Sequence, residues 1–294
     1  MSWRNRLAAV IAIATSLSAA SASAQVVLFG ATGSNGVNGI LYLINQTTGA
    51  SAPVGPILVA GANVSLTGLA ADPHTGILYG AVANGSPSNA SSLIKINQET
   101  GVATLVGGFG TAVSDINFSA SGTLYAWDRN TNALGTVSLI TGAVTDVGPS
   151  GLAAFSRGGG MSISGGTAFV AMRGTTPGTL DSVDIATGAG TTGPAITGAP
   201  TPDAIDAMAF SSSGTLFAVD TNRSGSPTTN FLVTINTATG AVASVGALPG
   251  DMDALAFAPL LAPTPAAVPT MATWILLLLA TTLVLSGAVA LRRK

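Results

Sequence analysis

The sequence predicts an all-β fold, a five-bladed β-propeller. Three observations lead to this prediction: an apolar segment that recurs at a nearly constant spacing, a turn motif that recurs with it, and the lack of a clear helical period between residues 25 and 258. Together they indicate a repeat protein in which each copy supplies several short strands.

The apolar segment has five copies that read as short strands. Their first core residues are Leu69, Ile116, Met161, Met208 and Leu255, with spacings of 47, 45, 47 and 47 residues. A Gly-x-Leu-aromatic segment follows in most copies, as in Gly76-Ile77-Leu78-Tyr79. These two segments predict the first and second strands of each repeat.

A shared turn separates the third and fourth strands of each repeat. The copies begin at Asn45, Asn97, Ser138, Asp184 and Asn236, and they end at Gly49, Gly101, Gly142, Gly188 and Gly240. The first side chain caps the turn and the glycine takes its left-handed position. Four antiparallel strands per repeat make one propeller blade.

The phase of the repeat predicts how the ring closes. The chain enters at a second strand (26–31), and its last copy stops after a first strand (253–258), so the last strand can complete the first blade. The predicted blades are 255–258 with 26–59, 66–108, 113–150, 158–195 and 204–248. A parallel β-solenoid is the alternative fold, disfavoured because its coils are shorter. The blade pattern resembles the broad WD40-like and NHL-like propeller group, without a recurring Trp-Asp pair.

Residues 1–24 are typical of a secretory signal. Arg4 and Arg6 give a positive start, residues 7–14 an apolar core, and Ala22-Ser23-Ala24 a small-x-small cleavage site that predicts a mature start at Gln25. We therefore expect the propeller domain, 25–258, to be exported. An uncleaved N-terminal anchor is the alternative.

A Pro-rich linker, 259–267, leads to an apolar tail, 268–294. The 18 uncharged residues from 274 to 291 would span about 27 Å as a helix, enough for a bilayer core. Arg292, Arg293 and Lys294 follow, so the C-terminus is expected to stay in the cytoplasm. The tail predicts a transmembrane helix with the propeller outside the inner membrane.

The tail begins Val268-Pro269-Thr270-Met271-Ala272-Thr273-Trp274. This segment resembles the opening of the IPTL-CTERM sorting signal, one of the PEP-CTERM type of signals of Gram-negative bacteria, whose pattern is Ile-Pro-Thr-Leu-x-x-Trp-Gly. Pro269, Thr270 and Trp274 match it, while Ile275 stands at the final Gly. The resemblance implies an exosortase-type processing enzyme as partner, cleavage near the motif, and delivery to the cell surface or extracellular matrix.

Charge and composition exclude several functions. The region between the two signals carries 12 acidic and five basic residues, a balance that disfavours nucleic acid as a partner. The chain has no cysteine, which excludes disulfides and thiol catalysis. The single histidine, His74, is expected in an exposed turn, and Gly158-Gly159-Gly160 is expected to be a flexible entry into the fourth blade.

One group of carboxylates is expected around the central channel, because first strands start and second strands end on the same face of a propeller. This candidate rim contains Asp115, Asp128, Asp206, Asp220 and Asp253. It could hold Ca²⁺, which prefers hard oxygen ligands, or attract a cationic ligand. The alternative is that these residues cap turns and pair with Arg129, Arg173 and Arg223.

We therefore expect a non-enzymatic, surface-delivered propeller that acts in adhesion, matrix building or binding of a surface ligand. A metal-dependent hydrolase or lyase using the Asp rim is one alternative. A permanently anchored inner-membrane protein facing the periplasm is another.

Overall fold

The computed structural model describes residues 25–33, 36–153, 158–172, 178–200, 204–222 and 229–261. The chain divides into two compact units at Leu260, and every strand of the described residues belongs to the first. All the regular secondary structure of the described residues is β, as predicted.

The strands follow the predicted repeat. The first are β1 (Val26–Thr32), β2 (Ile40–Ile44) and β3 (Ser51–Pro56). Next come β4 (Leu58–Val59), β5 (Ala62–Asn63), β6 (Leu66–Ala71), β7 (Leu78–Val82), β8 (Ser92–Ile96) and β9 (Val102–Gly108). The third blade has β10 (Val113–Phe118), β11 (Leu124–Asp128), β12 (Ala133–Val137) and β13 (Val144–Gly148). The fourth has β14 (Gly158–Ser164), β15 (Thr167–Met172), β16 (Thr179–Asp184) and β17 (Gly190–Thr191). The last are β18 (Ala204–Phe210), β19 (Leu216–Asn222), β20 (Thr229–Ile235), β21 (Val242–Leu248) and β22 (Met252–Pro259).

These strands form five sheets, one per blade. Each sheet contains a four-stranded antiparallel meander whose inner strand (β22, β6, β10, β14 or β18) lies at one edge, and the second sheet adds β4 and β5 at its outer edge. The inner strands of successive blades contact one another, so their free edges surround a central channel. One apolar cluster fills each of the five interfaces between neighbouring blades.

The C-terminal strand closes the ring as predicted. Strand β22 pairs antiparallel with β1, with Val26 opposite Pro259 and Leu28 opposite Phe257. The N–H of Leu260 donates to the carbonyl of Gln25 over 2.9 Å. Gln25 and Leu260, the two ends of the described ring, therefore lie side by side.

One predicted blade boundary is wrong. Leu58 and Val59 do not extend the first blade; they pair in parallel with Val102 and Ala103 at the outer edge of the second. The last strand of the first sheet ends at Pro56, and the N–H of Ile57 then donates to the carbonyl of Gly39. Such a two-residue pairing has no periodicity to detect.

The outer strand of the fourth blade is interrupted. Its regular part covers Gly190–Thr191, and the ladder breaks where the N–H of Gly193 turns to the Asp181 carboxylate over 2.9 Å. Pairing resumes where the N–H of Leu180 donates to the carbonyl of Pro194 over 3.0 Å and Thr179 bridges Ala195, so this blade reaches residue 195 as predicted.

The recurring turn has the predicted geometry in all five blades. The Oδ1 of Asn97, for example, accepts hydrogen bonds from Glu99 N–H at 2.8 Å and Thr100 N–H at 3.1 Å. The turn glycines all have φ between 70° and 78°. At these positions only glycine avoids backbone strain.

A second set of glycines, not predicted, connects neighbouring blades. Each follows a valine in an outer strand, six residues after a turn glycine: Gly55, Gly107, Gly148 and Gly246. A methyl group at Gly107 would overlap the carbonyl oxygen of Thr141 in the next blade's turn, and the other three meet the equivalent threonines. These glycines therefore let four of the five turns lie directly on the outer strand of the preceding blade.

Candidate functional site

The two faces of the propeller differ in their backbone. The turn face carries the short hairpin turns 45–50, 72–77, 97–101 and 119–123 and their equivalents. The loop face carries the connections into the inner strands and the loops after the second strands, such as 57–65, 83–91 and 129–132. The non-glycine residues with positive φ in the described chain all lie on the loop face: Ala60, Asn89, Ser91, Asn132 and Asp251. Backbone strain of this kind concentrates at functional sites.

Each inner strand also has a bulge at its loop-face end. The register shifts occur between Leu66 and Gly68, Val113 and Ile116, Gly158 and Met161, Ile205 and Ala207, and opposite Ala31 and Thr32. Bulges turn side chains out of the regular pleat. Asp115, Asp206 and Asp253 are bulge residues, and this places three of the predicted carboxylates at the inner strands.

Gly158–Gly160 lie in the same region and are not a flexible entry, so that prediction is wrong. They form the start of strand β14. A methyl group at Gly160 would lie 2.5 Å from the backbone carbon of Ala207, and one at Gly159 would lie 2.7 Å from the carbonyl of Ile205. Glycine is needed here because two inner strands approach with their backbones in contact.

Asp115 lies at the centre of the molecule with no exposed surface. Its Oδ1 accepts from the N–H of Ile116 and its Oδ2 from the N–H of Met161 in the fourth blade, each over 2.8 Å. The N–H of Met208, in the fifth blade, is a further donor to this carboxyl. On the other side, a methyl group at Gly68 of the second blade would lie 2.5 Å from Oδ1. One carboxyl thus joins three blades and touches a fourth.

The electrostatics of this carboxyl follow from its position. Burial raises the pKa of Asp115 well above its usual range, and the charge of Asp253 raises it further. The backbone donors Met161, Ile116 and Met208 oppose this rise without cancelling it. Asp115 and Asp253 therefore share one electrostatic environment.

The other candidate carboxylates are buried in separate settings. Asp128 caps the turn after β11: its Oδ1 accepts from Asn130 N–H and Thr111 Oγ, both at 2.8 Å. Asp220 is fully buried within β19, opposite Ile205 and Phe231. Within the described residues, no three His, Cys, Asp or Glu side chains are grouped so that they could hold a metal ion. Arg173 and Arg223 lie outside the described residues.

A cavity that the sequence did not predict opens on the turn face of the channel. It has a volume of 160 Å³ and is lined by two successive residues from each inner strand. The lining consists of Ala70, Ala71, Asn117, Phe118, Ser162, Ile163, Ala209, Phe210, Ala256 and Phe257. The sequence signal was present, because these positions directly follow the five first core residues.

His74 lies on the turn face, as predicted, with 62% of its side chain exposed and Nδ1 3.7 Å from Asp72 Oδ1. Burial alone would raise the pKa of Asp72, but hydrogen bonds from the His74 N–H, the Thr75 hydroxyl and the Thr75 N–H lower it overall. This carboxylate is therefore a turn cap.

The cleavage site (Ala22, Ala24) and the sorting tail (Val268, Pro269, Thr270, Met271, Trp274, Arg292, Arg293, Lys294) fall outside the described residues, except that Gln25 is the first of them. Among the described residues, no helix has the length and apolarity needed to cross a membrane.

Comparison with solved structures shows the fold. The chain is similar to one in a crystal structure of a nidogen/laminin complex, with a TM-score of 0.52 and 11% identity, over 80% of this chain and 98% of that one. The fold is a β-propeller.

Weaker similarities involve about half of each matched chain. One is to the hydrazine synthase of Kuenenia stuttgartiensis (TM-score 0.41, 16% identity, 60% of this chain and 47% of that one). Another is to a protein of unknown function from Bacteroides thetaiotaomicron (TM-score 0.45, 15% identity, 62% and 51%). No protein-family model and no curated protein matches the chain.

Proposed function

We propose that this chain is an exported, non-enzymatic propeller that acts at the cell surface or in the extracellular matrix as a binding or adhesion protein. Residues 268–294 serve as its sorting signal, recognised and cut by an exosortase-type membrane enzyme. The bulged, strained loop face is the surface that meets its ligand.

The observation that carries the proposal is where the ring closes. Strand β22 ends at Pro259 and β1 begins at Val26, so all five blades are complete between the two signals. The N–H of Leu260 donates to the carbonyl of Gln25 just beyond this strand pair. Removing residues 1–24 and the tail would therefore leave every strand pair of the described residues intact.

The carboxylate geometry supports binding over catalysis. An Asp-dependent hydrolase or lyase needs carboxylates with free oxygens facing a substrate. Asp115 instead accepts from backbone donors, and Asp128 accepts from a turn N–H and a threonine hydroxyl. Ca²⁺ at the loop face stays a prediction, and a thermal shift of residues 25–261 with millimolar CaCl₂ against MgCl₂ tests it.

The sorting hypothesis is tested by mass spectrometry of the mature C-terminus in a Gram-negative host that contains an exosortase. We expect a product that ends near the motif and lacks the tail. Trp274→Ala should leave the tail in place, whereas Ala272→Ser, inside the same segment but outside the matched positions, should be processed normally. A mature protein that keeps Lys294 would instead support permanent anchoring in the inner membrane.

A further inference from the structure

The inner strands carry a network of side-chain acceptors that is present in two blade interfaces and missing in three. The N–H of Ile163 donates to Asn117 Oδ1 of the preceding blade over 3.1 Å. The N–H of Phe210 donates in the same way to Ser162 Oγ over 3.1 Å. In both cases the donor lies two residues after the first core residue of its own inner strand (Met161 or Met208). The acceptor lies one residue after the first core residue of the preceding inner strand (Ile116 or Met161).

Alanine occupies the acceptor position in the other three interfaces: Ala70, Ala209 and Ala256. The donors that correspond to Ile163 and Phe210 are then the N–H groups of Phe118, Phe257 and Ala71. Their registers are equivalent, since Phe118 faces Leu124, Phe257 faces Leu28 and Ala71 faces Leu78, just as Ile163 faces Ala168 and Phe210 faces Leu216. A methyl group cannot accept a hydrogen bond, so these three N–H groups lack the side-chain cap that the other two have. Their residues, Ala71, Phe118 and Phe257, all line the turn-face cavity.

The turn-face cavity lies at this level of the channel. Its volume of 160 Å³ is below the ~300–1,000 Å³ that drug-sized ligands occupy. At ~30 Å³ per molecule it would hold roughly five waters. The site therefore suits one small molecule rather than an oligomer or a peptide.

The chemistry of the lining defines the ligand further. None of the side chains lining the cavity is charged, and the free strand edges offer both N–H donors and carbonyl acceptors. Phe118, Phe210 and Phe257 belong to this lining. Their rings are held by contacts with Tyr79, Phe169 and Phe217 at centroid distances of 5.5, 5.6 and 5.6 Å. Carbon-bound hydrogens of a ligand could pack against these rings.

We propose that this cavity binds a small neutral polyol or a single monosaccharide. Hydroxyl groups can accept from the N–H groups of Phe118, Phe257 and Ala71 and donate to strand carbonyls at the same time. An anion is disfavoured by the acidic balance of the domain and a cation by the N–H donors. The proposal is independent of export and of the sorting signal.

The test uses the propeller, residues 25–261, whose strands form a closed ring within one compact unit. Glycerol, erythritol and glucose are titrated at millimolar concentration and followed by saturation-transfer NMR, with acetate and ethanolamine as charged comparisons. Molar polyol is avoided because it stabilises any protein by exclusion from the surface. We expect saturable binding with a dissociation constant on the order of 1 mM for at least one polyol.

The decisive variant is Ala70→Ser/Ala209→Ser/Ala256→Ser, which copies Ser162 into the three uncapped interfaces. It should weaken polyol binding at least tenfold while the melting temperature stays constant or rises. Ala143→Ser, an exposed alanine in a turn, is the matched control and should bind as the unaltered protein does.

Three results would overturn the proposal: no saturable binding of any polyol, unchanged affinity in the triple variant, or tighter binding of acetate or ethanolamine than of every polyol. If the triple variant does not fold, Ser162→Ala replaces it. That variant uncaps the N–H of Phe210 and should bind polyol at least as tightly as the unaltered protein, so lost binding in a folded Ser162→Ala protein would also contradict the proposal.

Discussion

Replacing Asp115 by alanine tests whether one buried carboxyl holds the centre of the ring together. The substitution removes the acceptor for the N–H groups of Ile116 and Met161, each 2.8 Å away, and for that of Met208. These groups belong to three blades. The alanine methyl fits the space but cannot accept a hydrogen bond.

The cost follows from the donors left behind. A buried N–H without an acceptor costs about 1–3 kcal/mol, so three such groups cost at least about 3 kcal/mol. The substitution also removes a carboxyl group whose burial is itself unfavourable, and this offsets part of the cost of the three N–H groups. We expect a net loss of about 2–4 kcal/mol in the free energy of unfolding.

The same carboxyl predicts a pH dependence. Because the pKa of Asp115 is raised in the folded state, its contribution to stability is full below the unfolded-state pKa, about 3.9. That contribution is lost as the pH rises through the raised folded-state pKa. Asp115→Asn, which cannot ionise, should flatten this part of the stability profile.

Urea unfolding of residues 25–261, followed by tryptophan fluorescence between pH 4 and pH 8, measures both effects. Trp127 is fully buried in the propeller and reports on the transition. Asp146→Ala is the control, because this aspartate is exposed and should change stability by less than about 0.5 kcal/mol. If Asp115→Ala unfolds at the urea midpoint of the unaltered domain, the carboxyl does not join the blades.

Three other substitutions or deletions test the ring. Gly107→Ala should lower the free energy of unfolding by about 1–3 kcal/mol, because the added methyl group would overlap the Thr141 carbonyl. Gly85→Ala, which has open space around it, is the control and should leave the urea midpoint nearly unchanged. Asn97→Ala should cost about 1 kcal/mol because the turn N–H groups of Glu99 and Thr100 lose their acceptor, and unchanged thermal unfolding would contradict the capping role. Deleting residues 253–259 should expose the edge of β1 and cause aggregation in size-exclusion chromatography; a monomer with cooperative unfolding would refute closure by β22.

Much of this architecture can be derived from local chemistry. Residues such as Asn97 and Gly101 make a capped, left-handed turn wherever they occur together, because the cap and the positive φ are properties of a few adjacent residues. The regular return of Ile116, Met161 and Met208 fixes the number of blades. The phase of the repeat fixes closure, since the chain enters at a second strand and leaves after a first one.

Only the tertiary structure decided what happens between blades. Gly107 and Gly160 read as ordinary flexible glycines until a neighbouring backbone is placed against them. From the sequence alone, Asp115 is predicted to be one carboxylate of a rim around the channel. A bulge in its strand instead directs the side chain to the centre of the ring, where N–H groups of other blades surround it. The cavity likewise depends on Ala209 standing where Ser162 stands one blade earlier. These features join residues of different blades that lie 34 to 93 positions apart in the sequence, and their geometry depends on how the blades pack.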